Sequence, residues 1–254
     1  MAKTKIEWAD KVWNPVTGCT KVTAGCANCY AERFSLRLKH MEQSAVKYRN
    51  GFQPTVHPDE LTVPHKWLKP SAIFVCSMGD LFHEDVPFEF IAKVVKVIID
   101  LQRHDFMLLT KRPERMQVFF SWYLPDRCGI QSETIKNMWL GTSVENQVTA
   151  NQRIPFLINT PAHRRFISAE PLLSAISLQG FDIHSLVTKG QSLNCLIHLL
   201  IIGAETGFGA RITPLYNIVD LAMDGDFLQI PTMIKSIGKQ KDGTKLELLP
   251  HHLD

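Results

Sequence analysis

The chain has 254 residues, of which 45% are apolar and 21% are charged, and its formal net charge is +3. This length and composition are typical of a soluble protein with one large α/β domain. The small net charge permits a nucleic-acid partner but does not predict one. The sequence has neither an apolar run of about 18 residues nor a secretory signal core, so it predicts neither a membrane protein nor a secreted one.

Strands and helices are predicted to alternate along the chain. The strand-like segments are, in order, Ile6–Trp8, Ser71–Ser77, Phe106–Thr110, Met138–Thr142, Arg165–Ala169, Cys195–Ile202 and Ile230–Ile234. Apolar residues at helical spacing predict helices at Tyr30–Tyr48, Pro87–Leu101, Pro113–Trp122 and Leu215–Met223, and one more that must be broken near Pro155. The proline-rich stretch 51–70 is predicted to be an irregular connection.

This alternation predicts parallel strands joined by right-handed crossovers. We therefore expect an α/β fold, a partial or complete parallel β/α barrel of about six to seven strands. A Rossmann sheet is disfavoured because no G-x-G-x-x-G motif opens a helix. Residues 1–238 are expected to form a single barrel domain with a ligand-carrying loop at residues 13–30, followed by a polar C-terminal tail at residues 239–254.

Three of the six cysteines lie within eleven residues in the spacing C-x6-C-x2-C, namely Cys19, Cys26 and Cys29. This clustering favours metal binding in a reducing, cytoplasmic compartment over a disulfide scaffold. A structural zinc site would need a fourth ligand, for which His57 or His65 is available. A [4Fe–4S] cluster held by three cysteines would instead keep one iron open for a small molecule.

The predicted strands end in charged residues. After the cysteine loop these are Asp80, Lys111, Glu145, Glu170, Glu205 and Lys235. In β/α barrels the carboxyl edge of the strands is where ligands and catalytic groups meet, so the set is expected to converge on one cavity with the cysteine loop. The alternative is that strands end in polar residues because they reach solvent there.

Short distinctive motifs follow one another in order over roughly residues 4–236. They are Ile6–Trp8, Trp13–Cys19, Gly25–Cys26, Asn28–Tyr30, Met78, Asp80–His83, Leu109–Pro113, Trp139–Gly141, Ser143–Gln147, Ser168–Leu173 and Gly203–Arg211. With these motifs the chain resembles the phage-associated three-cysteine-motif proteins. That family in turn resembles radical S-adenosylmethionine (radical SAM) enzymes, in which three residues, rather than six, usually separate the first two cysteines. The chain departs from the family at Ala204, where glycine is usual, and in Met233–Gly238, which lacks the usual aromatic residues.

The resemblance implies that Cys19, Cys26 and Cys29 hold a [4Fe–4S] cluster whose open iron binds S-adenosyl-L-methionine. It implies a radical SAM enzyme of phage origin with a barrel of the radical SAM type, acting in the host cytoplasm with an external electron donor. Such an enzyme generates a 5′-deoxyadenosyl radical. The expected substrate is a nucleotide, a nucleic-acid base or a related small metabolite.

The resemblance also implies roles for individual side chains. Those expected to bind the cofactor are Tyr30, Asp80, Ser143, Glu145, Glu205 and Arg211, and those expected at the catalytic centre are Lys111, Glu170 and Lys235. Structural interpretations stay open for some of these positions. Asp80 would cap the turn that follows it, and Ser143 or Glu145 would begin a helix. Cys76, inside an apolar strand, is interpreted as a core thiol rather than a fourth ligand.

The alternative function belongs to a different class. The chain would be an iron–sulfur or zinc protein that binds nucleic acid or a partner protein without radical chemistry. In the sequence, the small net charge and the lack of a basic, aromatic-rich stripe count against this alternative.

Overall fold

The computed structural model describes residues 6, 8–41, 46–124, 135–179 and 193–238. The tail predicted at 239–254 and Cys128 lie outside these residues. The strands are β1 (Lys11–Trp13), β2 (Val16–Thr17), β3 (Thr55–Val56), β4 (Ala72–Val75), β5 (Asp105–Thr110), β6 (Met138–Ser143), β7 (Arg164–Ala169), β8 (Leu199–Gly203) and β9 (Thr232–Ser236). The α-helices are α1 (Tyr30–Lys39), α2 (Phe88–Asp100), α3 (Pro113–Tyr123), α4 (Gln147–Asn159) and α5 (Leu215–Phe227).

Seven strands form one sheet in the order β1–β4–β5–β6–β7–β8–β9, and β2 and β3 form a separate antiparallel pair. The registers within the large sheet are parallel, for example Trp13 opposite Val75 and Ile201 opposite Met233. A parallel sheet whose strands alternate with α-helices along much of the described chain is the predicted α/β class, a partial parallel β/α barrel, and this prediction is confirmed. Among the described helices, none has the length and apolarity needed to cross a membrane.

Packing divides the described chain into two compact units, of which the first holds residues up to Val22, Cys29–Leu140 and Thr160–His163. In α2 the apolar residues recur every three or four positions, so one face of the helix is buried. The rings of Phe82, Phe119 and Phe120 pack with centroids 5.0–6.1 Å apart. These helix faces and rings form the core of this unit.

The second unit holds Thr23–Asn28, Gly141–Asn159 and the residues from Arg164 onward. All five residues of β8 are buried, as expected of a parallel strand covered on both faces. Helix α5 lies close to β9 at Gly225, where a Cβ atom would stand 2.2 Å from Thr232 Oγ1. A larger residue at this position would therefore push the helix off the sheet.

The N-terminal predictions need two corrections. Ile6 and Trp8 are not in a strand, because the Ala9 amide donates to the Ile6 carbonyl (3.2 Å) and closes a turn there. The first strand of the large sheet is β1, and the short strand β2 lies between it and Cys19. Helix α1 starts at Tyr30 as predicted but ends at Lys39, and Tyr48 lies in a turn rather than in the helix.

Two further boundaries differ from prediction. Pro155 lies inside α4, which continues to Asn159 because Ile154, Leu157 and Ile158 are buried on either side of it. Their packing outweighs the hydrogen bond that proline removes. Strand β8 begins at Leu199 rather than at Cys195, since Leu193–Cys195 is a short 3₁₀ helix.

Candidate functional site

The cysteine loop connects β2 to α1. Gly18, just before the first cysteine, has φ +81°, and a Cβ atom there would lie 2.2 Å from the Gln53 carbonyl oxygen, so glycine is required. Cys26 ends the 3₁₀ helix Ala24–Cys26, and Cys29 is the N-cap of α1. All three thiols are partly exposed, and none of the described cysteines is in a disulfide.

Cys19 lies next to a cation in the first unit. Arg112 donates from Nη1 to Cys19 Sγ (3.3 Å) and from Nη2 to Thr20 Oγ1 (2.7 Å). Burial by itself lowers the pKa of Arg112, but the nearby Asp80 and Cys19 raise it overall, so the guanidinium stays charged. A fixed positive charge beside the sulfur favours the thiolate, which is the form that binds metal.

Asp80 is surrounded by donors from its own unit. Oδ1 accepts from Thr110 Oγ1 (2.7 Å) and from the Phe82 amide (3.0 Å), while Oδ2 accepts from the Lys111 amide (3.2 Å) and Arg112 Nη1 (3.3 Å). The bond to Phe82 caps the turn, which was the structural interpretation of this residue. Lys111 thus contributes its backbone to this network, and Arg112, the next residue, contributes the charge.

His83 is a further member of this network that sequence reasoning did not assign. It is 1% exposed, and burial, with the neighbouring Arg112 as the next cause, lowers its pKa. Because Nδ1 accepts from the Asp85 amide (3.1 Å), the ring proton lies on Nε2 and donates to Thr20 Oγ1 (2.8 Å). The residue after Cys19 is therefore held by His83 and by Arg112.

In the second unit, Glu145 and Arg153 form a buried ion pair of 2.9 Å, with side chains 0% and 7% exposed. Arg153 also donates to the Ser143 carbonyl (2.7 Å) and to Thr23 Oγ1 (3.2 Å). A Cβ atom on Gly25 would lie 3.0 Å from Glu145 Cδ, so the chain just before Cys26 rests against this carboxylate. We call Thr23–Asn28 the Cys26 segment.

A second ion pair holds the same segment. Arg211 binds Glu205 through Nη2 (2.6 Å) and Nε (2.9 Å), and its Nη2 donates to the Ala24 carbonyl (2.9 Å). Asn28 donates to Glu205 Oε2 (3.0 Å) and to the Gly209 carbonyl (2.8 Å). The hydrogen bonds from Arg211 lower the pKa of Glu205 to about 2. Two of the three carboxylates expected to bind the cofactor, Glu145 and Glu205, thus hold the segment that carries Cys26.

Glu170 and Lys235 form the third ion pair of this unit. Lys235 Nζ lies 2.5 Å from Glu170 Oε1, and both side chains are about a quarter exposed, at 25% and 24%. Ser143 Oγ donates to the Glu170 carbonyl (2.9 Å). A Cβ atom on Gly203 would lie 3.2 Å from Glu170 Cγ, so the missing side chain makes room for the carboxylate. This pair remains accessible at the strand ends.

The structure shows which partners the charged residues at the strand ends have. The structure brings Glu170 and Lys235 together, while Asp80, Glu145 and Glu205 each pair with an arginine. Convergence of the whole set on one cavity stays a prediction. The Asn146 side chain, rather than Glu145, caps α4 by accepting from the Thr149 amide (2.9 Å). Tyr30, at the start of α1, donates its hydroxyl to the Ser77 carbonyl.

Sequence reasoning did not identify Arg153 and Asn28 as functional. Arg153 lies eight residues after Glu145 in the helix that follows β6, a spacing with no local signal. Asn28 is adjacent to Cys29 within the motif, but its partner Glu205 is 177 residues away. Arg112 lies in the Leu109–Pro113 motif, but its partner Cys19 is 93 residues away.

The cysteine donors are compatible with the predicted cluster. The three loop thiols are the right donor type for a [4Fe–4S] centre. Burial raises the pKa of the Cys76 thiol, which is 2% exposed, so the core interpretation of this residue is confirmed. Within the described ranges no group of three or more His, Cys, Asp or Glu side chains is arranged to hold a metal ion. The proposed zinc ligand His57 instead has Nε2 2.7 Å from Thr17 Oγ1.

Comparison with known proteins yields one match. A family model described as "Protein of unknown function (DUF5131)" matches residues 3–246. No curated protein and no solved structure matches the chain.

Proposed function

The chain belongs to the DUF5131 family, and we propose that it is a radical SAM iron–sulfur enzyme that modifies a nucleotide, a nucleic-acid base or a related metabolite. The observation that carries the proposal is the loop with Cys19, Cys26 and Cys29. Its three partly exposed thiols follow the first strand of a parallel α/β fold. Burial raises the pKa of the Cys76 thiol, so this cysteine is a poor candidate for a fourth ligand.

In this proposal the three loop cysteines would hold a [4Fe–4S] cluster, which together with S-adenosylmethionine would supply radical chemistry. The chain's own contribution begins at Arg112. Its Nη1 atom, 3.3 Å from Cys19 Sγ, offsets the negative charge of the thiolate. Because Asp80 and Thr20 also bind this guanidinium, its position does not depend on the cluster.

The Cys26 segment is positioned by charged pairs rather than by apolar packing. Arg153 binds Thr23 and Arg211 binds the Ala24 carbonyl, and each arginine is oriented by a buried carboxylate. We assign Glu145 and Glu205 to this positioning role. Restricting a ligand loop to few conformations before the metal arrives lowers the ordering cost of binding.

The residues available to a substrate are Glu170 and Lys235. Their ion pair is partly exposed at the carboxyl edge of β7 and β9, where ligands bind in this fold class. Lys235 Nζ can donate to an anionic or carbonyl oxygen, and Glu170 Oε1 can accept from a hydroxyl or an amino group. Such a donor–acceptor pair suits a polar substrate such as a nucleotide base.

The test is the iron content and visible absorption of protein purified without oxygen, with and without S-adenosylmethionine. The proposal predicts about four iron atoms per chain, a broad visible band that the cofactor perturbs, and release of 5′-deoxyadenosine after reduction. Cys26→Ser should lose the iron and the band. Cys195→Ser, at an exposed cysteine outside the loop, is the matched control and should keep both. A colourless protein with one bound zinc ion would refute the radical chemistry.

The second candidate function is a metal-containing protein that binds nucleic acid without radical chemistry. The exposed face of α1 favours it, because this helix carries aromatic and basic residues directly after Cys29. Cofactor-dependent release of 5′-deoxyadenosine separates the two candidates, since only the enzyme produces it.

A further inference from the structure

Helix α1 presents a continuous exposed face that combines aromatic and basic side chains. Tyr30 is 57% exposed and Phe34 is 46% exposed, and Arg33 and Arg37 are exposed beside them. The spacing i, i+3, i+4 and i+7 places these four residues on one side of the helix. The opposite side, with Ala31 and Ser35, is buried, so the exposed face is fixed in its orientation.

The start of this face is rigid. The Tyr30 hydroxyl donates to the Ser77 carbonyl, which orients the ring although it remains more than half exposed. The residue before it, Cys29, packs in a small cluster with Tyr48 and Met78 of the same unit. An exposed aromatic ring held in one orientation is a surface on which another flat group can stack without a large loss of conformational freedom.

The charge of α1 selects the kind of partner. The helix contains Arg33, Arg37 and Lys39 but only one acid, Glu32, which is neutralised by Lys21 at 2.9 Å. The exposed aromatic side chains of α1 are therefore surrounded by net positive charge on this helix. This combination complements a flexible polyanion whose bases have open faces.

Helix α5 provides the contrast. It also exposes large apolar side chains, with Tyr216 at 65% and Phe227 at 72%. However, it contains no lysine or arginine and carries Asp220 and Asp226 instead. Exposure of aromatic rings alone thus does not distinguish α1, whereas its positive charge does.

We propose that the exposed face of α1 binds single-stranded nucleic acid. Unpaired bases stack on Tyr30 and Phe34, and Arg33 and Arg37 bind the backbone phosphates. A duplex fits less well because its bases are already stacked on one another. The binding needs neither cluster nor cofactor, and it brings a strand next to Cys29. The structure corrects the sequence-based view that the chain lacks a basic, aromatic stripe.

The experiment is a fluorescence anisotropy titration of the full chain with a labelled 20-nucleotide oligothymidylate, and with oligouridylate and a DNA duplex for comparison. Phe34→Ala should weaken single-strand binding by about tenfold, since one stacking contact is lost. Arg37→Gln should lower the slope of log affinity against log salt by about 0.7, the value for one phosphate contact on a single strand. Equal binding of both single strands identifies a shared site, and a preference identifies the natural strand.

Phe227→Ala in α5 is the matched control, because it removes an exposed ring from an acidic helix. It should bind both oligonucleotides as tightly as the native chain. The proposal is overturned if the oligonucleotides do not bind, if the duplex binds as tightly as the single strands, or if Phe227→Ala weakens binding as much as Phe34→Ala. Iron content and the response to S-adenosylmethionine are measured on the same samples. They test the proposed radical SAM function separately, so a failure of single-strand binding is not confused with a failure of that function.

Discussion

Replacing Arg211 with glutamine is expected to lower the free energy of unfolding, because it removes the cation that is paired with a buried carboxylate. The Glu205 side chain is 6% exposed, and its oxygens lie 2.6 and 2.9 Å from the guanidinium nitrogens. Arg211 also binds the Ala24 carbonyl, so the replacement loosens the Cys26 segment at the same time.

The size of the loss follows from the pKa of Glu205, which is about 2 rather than the ordinary 4.5. A difference of this size corresponds to about 3 kcal/mol of stability at pH 7. Because Arg211 is 38% exposed and solvent screens it, we expect about 2 kcal/mol. The folded-state pKa is lowered, so this stability is complete above about pH 4.5 and is lost as the pH falls toward about 2.

The assay is urea unfolding of the native chain and Arg211→Gln, followed by tryptophan fluorescence at several pH values. The difference should be constant from pH 8 to 5 and should shrink below about pH 4.5. Arg49→Gln, at an exposed arginine, is the control and should change stability by less than about 0.5 kcal/mol. A loss at pH 7 below 0.5 kcal/mol, or the same loss at pH 3 and pH 7, would refute the reasoning.

The Arg211→Gln variant also tests whether Arg211 restrains the Cys26 segment. In metal-free, reduced protein, alkylation of Cys26 should become several-fold faster in Arg211→Gln, measured by mass spectrometry relative to Cys195. Asp224→Asn is the matched control. This buried carboxylate of the same unit accepts hydrogen bonds from Leu178 and Gln179 rather than from the Cys26 segment. Equal acceleration in both variants would mean that general destabilisation, not the segment, controls the reactivity of the thiol.

Three further predictions concern single side chains. Arg153→Met leaves Glu145 charged and unpaired in a buried site and should cost about 3–5 kcal/mol, seen as a fall in Tm of about 6–20 °C. The double variant with Glu145→Leu should recover much of this loss, and no recovery would contradict the pairing argument. Lys235→Ala should change stability by less than about 1 kcal/mol because its ion pair is partly exposed, so a loss of turnover would report on chemistry. Cys26→Ser should bind no iron, whereas retained iron would exclude this residue as a ligand.

The order of elements could be predicted because it depends on local periodicity. Helix α2 shows its buried stripe every three or four residues, and β8 shows an unbroken apolar run. Errors arose where a longer-range contact decided the conformation. The Trp8 ring packs against the distant Phe74 (4.5 Å between centroids), and α4 continues through Pro155 because buried residues flank it. No short window of sequence contains either packing environment.

The sequence by itself determined the cysteine spacing, the alternation of strands and helices, and the charged residue near the end of each main strand. Each of these is a local property, readable from residue type and spacing. Only the tertiary structure decided what those charges do. Glu145 and Glu205 are bound by arginines and hold the Cys26 segment, whereas Glu170 and Lys235 meet each other at the surface. A carboxylate has the same sequence signature in each case, and its partner is set by which distant segments the fold brings within hydrogen-bond distance.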